Sequence, residues 1–252
     1  MTNEALQTIL KKHKMWLKNE VGGERANLQG ANLQNANLRN ANLYNANLRY
    51  ANLRNADLQD ANLRYAILQG ADLQYVYLQD ADLRNAILQG ADLRNAILQG
   101  ANLQNANLRN ARLYNADLQG ADLQGADLRY ANLQDANLQD AKNIPERVKK
   151  QLNNLPKGKL IGYKKCQNDV IVTLEIPAKA RRSKSTTNKC RAEYAKVVAI
   201  SDGATEARST YVAGFKYVVG KTVKPDSWDN NWNNECSNGI HFFLTMKEAR
   251  NY

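Results

Sequence analysis

From Ala26 to Asp140 the apolar residues of this chain recur every fifth position. The stretch is 23 consecutive units of Ala-(Asn/Asp)-Leu-X-X, with Leu in the third place of every unit from Leu28 to Leu138 and Val76 the one departure from Ala in the first. On an α-helix five residues advance about 500°, which rotates each Leu about 140° from the last, so no apolar stripe forms. On a straight strand side chains alternate with period two, and an odd repeat flips the Leu to the other face in every unit. Ala and Leu all point inward only if the chain turns a corner once per unit. Four corners close a coil of twenty residues. Coils stacked at about 4.8 Å make a solenoid roughly 28 Å long.

The remaining positions fit this path. Ala and Leu, two apart, share one side of a short extended segment, while the second, fourth and fifth positions face water. The fifth position is mostly Asn, Asp or Gly, and Gly and Asn tolerate the positive φ of a tight turn. Tyr50, Tyr65, Tyr75 and Tyr130 break that preference and read as outward-facing ring ladders or contact points. The polar second position turns apolar at Ile67, Tyr77, Ile87 and Ile97. Units four apart share a face, so Ile67 stacks with Ile87, and Tyr77 with Ile97 on the opposite side. These four are the candidate interface for a second copy (a homodimer) or for the C-terminal segment; single exposed hydrophobes are the plainer reading.

A solenoid needs covered ends. Residues 3–20 read as an amphipathic helix with Leu6, Ile9, Leu10, Trp16 and Leu17 on one face, Asn3 as N-cap, Gly22-Gly23 as the stop and His13 in a structural place on the apolar side. At the other end Pro145 opens a helix over 146–153, whose Val148 and Leu152 would cover the last coil. Beyond a linker the texture changes. Leu160–Cys166, Val170–Ile176, Ala195–Ile200, Tyr217–Val223 and Ile240–Leu244 predict strands, and Thr245-Met246-Lys247-Glu248 predicts a capping box on a terminal helix. The organisation is a cap helix (1–25), the repeat (26–141), a cap helix and linker (142–158) and a small α+β domain (159–252).

The Ala-(Asn/Asp)-Leu-X-X array over 26–140 resembles the pentapeptide-repeat family. The resemblance implies a mainly β fold, a right-handed quadrilateral β-helix. It says little about function, because one tower serves many roles. Some members of that family resemble B-DNA through an acidic surface and bind DNA gyrase. Here the array holds nine Arg against eleven Asp, and eight of the Arg, among them Arg39, Arg49, Arg54 and Arg84, stand in the fourth position. That departs from a DNA mimic. The segments LIGYKKC, KCRAEYAKV and NECSNGIHFFLTMKEA resemble a C-terminal domain attached to pentapeptide arrays in phage and prophage proteins. This implies a phage-related origin and, by extension, a counter-defence role against a host protein or nucleotide signal, but no mechanism.

Charge sharpens the picture once it is located. The whole chain carries 35 Lys+Arg against 24 Asp+Glu, a formal net of +11. The repeat is −2, residues 1–25 are +2, and residues 141–252 carry +11. The densest cluster is Lys179, Arg181, Arg182, Lys184, Lys189 and Arg191, in a Ser/Thr-rich stretch that reads as a loop. With Trp228 and Trp232 from an Asn-rich loop it forms the candidate site for an anion: nucleic acid, a nucleotide or an acidic protein face. A solvated loop is the plainer alternative. Cys166, Cys190, Cys236 and His241 have zinc-ligand types but no C-x-x-C spacing, so no metal or other cofactor is expected. An odd number of cysteines favours reduced thiols in a cytoplasm. No apolar run reaches 18 residues, and the N-terminal MTNEALQTILKKHKMW does not read as a signal peptide, so no membrane association is expected. The leading expectation is a non-enzymatic binding or scaffold protein, phage-derived, that engages a host protein or sequesters an anionic nucleotide. The alternatives are nucleic-acid binding through the basic domain and an enzyme built on Cys236 and His241.

Overall fold

The computed structural model describes residues 1–152, 155–184, 188–229 and 238–252. The chain divides into two compact parts, Met1–Lys149 and Lys150–Tyr252.

In the first part each second-position residue pairs in parallel with the residue 20 further along, from Asn27 with Asn47 to Asp122 with Lys142. One coil is therefore four units. The Leu28 N–H donates to Asn47 O at 2.7 Å, the Gly30 N–H to Arg49 O at 2.8 Å, and the Asn47 N–H back to Ala26 O at 2.9 Å. The corner is the i to i+3 bond from the Ala31 N–H to Leu28 O at 3.1 Å, with Gly30 at φ 64°. A single positive φ at the third turn residue is a type II turn. Every fifth-position residue of the repeat adopts it, including Tyr50, Tyr65, Tyr75 and Tyr130 at φ 55–61°. Every repeat Leu is buried, as is nearly every repeat Ala; Ala31, Ala36 and Ala41 in the first coil and Ala141 after the last unit are only half-buried.

The second position does more than face water. The Asn37 Oδ1 accepts the Arg39 N–H at 3.1 Å and the Asp57 Oδ1 accepts the Gln59 N–H at 3.0 Å. This local turn explains the Asn/Asp preference, because both side chains reach the backbone two residues on. The four tyrosines form no common ladder. They fall on three faces: Tyr65 meets Tyr44 edge-on at 5.6 Å, Arg147 lies 5.3 Å from the Tyr130 ring, and the Tyr50 ring lies where a Cβ on Gly70 would stand.

The N-terminal helix, α1, spans Asn3–Leu17 and is shorter than the sequence suggests. Its N-cap is Thr2, whose side chain accepts the Ala5 N–H, not Asn3. It stops at Asn19 rather than at the glycines. With Asn19 at φ 54°, the Asn19 N–H donates to Trp16 O and the Glu20 N–H to Met15 O, each at 3.0 Å, a Schellman motif. Leu6 and His13 are its buried residues. The His13 Nδ1 accepts the Ala26 N–H at 3.1 Å, which joins the cap to the first unit, and the imidazole stacks on Trp16 at 5.5 Å. Helix α2, Glu146–Leu152, follows the last unit, with Ile144 and Val148 buried.

Burial, followed by the charge of Arg25, holds His13 below its ordinary 6.5. The unfolded chain then takes up the proton more readily, so this contribution is whole above pH 6.5 and is lost as pH falls through that value toward the folded one. Protonation also removes the acceptor that Ala26 uses. Amides of α1 are expected to lose hydrogen-exchange protection between pH 7.5 and pH 5, after correction for intrinsic rates, while the central coils keep theirs. Unchanged protection of α1 would remove His13 as its fastening.

The C-terminal part has nine strands among the described residues: β1 Leu160–Lys165, β2 Ile171–Ile176, β3 Arg182–Lys184, β4 Cys190–Ala192, β5 Ala195–Ile200, β6 Glu206–Arg208, β7 Lys216–Val218, β8 Thr222–Val223 and β9 Ile240–Phe242, followed by α3, Met246–Asn251. All pairings are antiparallel, in the orders β1-β2-β5-β8, β3-β4-β9 and β6-β7. A bridge between Tyr163 and Phe243 links β1 to the end of β9. The expected single strand over 217–223 is two short ones broken at Gly220, which holds φ 82°. The stretch read as a basic loop contains a strand pair, with Arg182 opposite Ala192 and Lys184 opposite Cys190. The capping box forms as the sequence suggests, Thr245 accepting from and donating to Glu248.

Candidate functional site

Strand β1 alternates so that Leu160, Gly162 and Lys164 share its buried face. Lys164 is 8 % exposed, and no carboxylate lies within ion-pair distance of it among the described residues. Its ammonium stands 5.9 Å from the Tyr211 ring and 6.0 Å from the Tyr217 ring. Burial, with the like charge of Lys189, holds its pKa below the usual lysine range, while Cys166 opposes. Removing a cation from water costs free energy unless a partner compensates, and two ring faces compensate only in part.

Lys164 is common to two adjoining recesses. One, about 210 Å³, is lined by Lys164, Lys165, Lys189, Tyr211, His241, Phe243 and Tyr252 and by no carboxylate. The Lys189 Nζ donates to the Tyr252 hydroxyl at 2.9 Å, and Lys165 reaches Asp169 at 3.1 Å. The second, about 290 Å³, shares Lys164, Tyr211 and His241 and adds an apolar wall of Val212, Phe215 and Pro225 with Asp226 and Asn238 among the polar residues. Such a site can hold a small anion with an apolar or aromatic portion.

The residues of the basic cluster have different surroundings, and two of them, Arg181 and Arg191, stand beside the Trp228 ring. Lys179 is exposed. Arg181 pairs with Glu193 at 2.8 Å and stands 5.8 Å from the Trp228 ring. Arg182 donates to Gly158 O at 2.6 Å. Lys184 is half-buried on β3. Arg191 is 3 % exposed, opposite His241 in the register of β4 and β9 and 5.7 Å from the Trp228 ring. Of the cluster, only Lys189 lines the recess. Trp232 and Cys236 lie outside the described residues. Cys166 and Cys190 are buried free thiols that burial pushes up to about 11 and about 12, so both are protonated at neutral pH. No group of three metal-ligating side chains occurs among the described residues. Lys164, Tyr211 and Tyr252 were not singled out by the sequence; the period-two placement of Lys164 with Leu160 and Gly162 was the one available signal.

On the tower, Ile67 pairs with Ile87 and Tyr77 with Ile97 across coils. Tyr77 and Ile87 are exposed, Ile67 and Ile97 half-buried. The Arg side chains are largely engaged: Arg84 with Asp82 at 2.5 Å, Arg94 with Asp92 at 2.7 Å, and Arg39 with Asp60 across coils at 3.6 Å. Hydrogen bonds from Arg129 hold Asp127 down at about 2. No described helix is long and apolar enough to cross a membrane.

Residues 24–60, 41–76, 77–113 and 106–142 match the family described as pentapeptide repeats (8 copies), and residues 151–249 match a family of unknown function (DUF5758). Among solved structures, HetL, a pentapeptide repeat protein involved in heterocyst differentiation regulation from the cyanobacterium Nostoc sp. strain PCC 7120, is 41 % identical over 46 % of this chain, with a TM-score of 0.45. The match spans 54 % of HetL, about half its length. Rfr23, a pentapeptide repeat protein from the cyanobacterium Cyanothece 51142, is 33 % identical over 52 % of this chain and 95 % of its own, with a TM-score of 0.19. QnrB1, a plasmid-mediated fluoroquinolone resistance protein, is 21 % identical over 45 % of this chain and 76 % of its own, with a TM-score of 0.24. No curated protein matches the chain.

Proposed function

Because the chain belongs to the pentapeptide-repeat family, we propose that it is a non-enzymatic binding protein in which a β-helical tower serves as scaffold and the C-terminal domain engages an anion. The observation that carries this reading is the carboxylate-free recess around the buried Lys164. The protonated thiols of Cys166 and Cys190 agree with a binding rather than a nucleophilic role. The right-handed, four-sided course of the tower belongs to the same reading, which the bridge interval of 20 residues supports. The phage-related origin and counter-defence role rest on the resemblance of the C-terminal segments alone.

Tripolyphosphate is the direct probe. An anion that binds only the folded state at a hundred times its Kd stabilises by about 2.7 kcal/mol. The melting transition of the C-terminal domain is expected to rise by on the order of 10 °C, and the double substitution Lys165→Ala, Lys189→Ala to reduce the rise by at least half. Absence of any shift up to millimolar tripolyphosphate would refute an anion site.

A further inference from the structure

The two recesses around Lys164 differ in chemistry. The first is cationic and ringed by Tyr211, Phe243 and Tyr252. The second is a slot between apolar side chains, with the Asp226 carboxylate and the Asn238 amide among its polar groups. Pockets for ligands of drug size begin at about 300 Å³. Neither arm reaches that alone, at about 210 and 290 Å³, and the two share Lys164, Tyr211 and His241 in their linings. A cation that is 8 % exposed, with no carboxylate within ion-pair distance among the described residues, is completed by an anion entering beside it. Tyr211, 66 % exposed, lines both arms. A ligand that satisfies both arms has a compact anionic end and a flat, partly apolar end that carries hydrogen-bonding edges.

We propose that this bipartite pocket takes a nucleoside phosphate, its phosphoryl group beside Lys164 and Lys189 and its base in the slot walled by Val212, Phe215 and Pro225. The Tyr211 ring stacks on the ligand at the junction, and Asn238 and Asp226 face the base edge. The proposal rests on the anion-binding reading above and specifies its ligand.

The test is titration calorimetry of the full chain with the four common nucleoside 5′-monophosphates, their nucleosides, inorganic phosphate and a single-stranded oligonucleotide. At least one nucleotide is expected to bind ten times more tightly than both its nucleoside and inorganic phosphate. Lys164→Met should weaken the nucleotide at least tenfold and its nucleoside less than threefold. Tyr211→Leu should weaken nucleotide and nucleoside together and leave inorganic phosphate unchanged. Lys189→Ala, at a partly exposed position, repeats the Lys164 test should that variant fail to fold. If inorganic phosphate or tripolyphosphate binds as tightly as every nucleotide, the base arm is wrong while the anion site stands. If neither nucleotides nor tripolyphosphate bind, both readings fall. Oligonucleotide binding that persists in Lys164→Met, without mononucleotide binding, also overturns the pocket, because it places the contact on another surface.

Discussion

Leu83→Ala is expected to cost the tower about 3–5 kcal/mol, toward the upper end for a buried leucine. Leu83 is fully buried, in line with Leu63 one coil before it and Leu103 one coil after it. The cost of such a substitution depends on how far the surroundings collapse into the space left behind. Here they have little freedom. The Leu83 N–H donates to Asn102 O at 2.8 Å, and its carbonyl accepts the Ala86 N–H at 3.0 Å. Each neighbouring unit is held by the same ladder, and the interior residues beside it along the chain, Ala81 and Ala86, have no long side chain to swing inward. In a stacked array the damage passes to the coils on either side. Leu138, in the last unit, should cost less because its surroundings yield more easily. Chemical denaturation of the two variants, followed by a probe confined to the tower, decides it. A loss below about 1 kcal/mol for Leu83→Ala would mean that the coils close over the gap.

Gly162→Ala is expected to destabilise the C-terminal domain by about 3 kcal/mol, the upper part of the range for an overpacked core. A Cβ at Gly162 would stand 2.3 Å from Phe242 Cδ2, 2.9 Å from its Cγ and 3.0 Å from Ile176 Cδ1. Phe242 is fully buried and has nowhere to retreat. The backbone of Gly162 has no positive φ, so the whole effect is steric. Lys164 is two residues along the same strand, and His241 immediately precedes Phe242. The substitution should therefore weaken ligand binding as well. Phe242→Leu in the same chain should recover part of the stability, and a double-mutant cycle measures how much. If Gly162→Ala melts with the parent chain, the ring is free to move and the packing argument is wrong.

The tower was readable because its order is local. Every unit meets the same surroundings, and each partner lies 20 residues on. The odd period therefore dictated a corner per unit and the inward placement of Ala and Leu. The positive φ of the fifth position was likewise readable for Asn and Gly. That tyrosine would adopt it four times was not, because the turn geometry of the coil overrides the residue's own preference. The Asx turn behind the second-position Asn and Asp was also hidden, since the same residues read equally well as solvated polar positions.

The C-terminal domain shows the opposite case. Its longer strands were legible from β-branched runs, but β3, β4 and β6, three residues each, carry too little periodicity to detect. The basic cluster between 179 and 191 looked like one surface. Strand pairing instead sends Arg191 inward and ties Arg181 to Glu193, leaving Lys189 alone of the six at the recess.

By itself the sequence determined the repeat, its twenty-residue coil, its interior and the placement of the net positive charge in the C-terminal part. Only the tertiary structure decided that Lys164, Lys189, Tyr211, His241 and Tyr252 line one recess. The physical reason is the range of the interactions. A repeat repays the chain entropy of ordering unit by unit through nearby partners, and so leaves a periodic trace. A pocket built by antiparallel strands draws on residues as much as 88 positions apart, and their meeting is set by register and packing that no local pattern records.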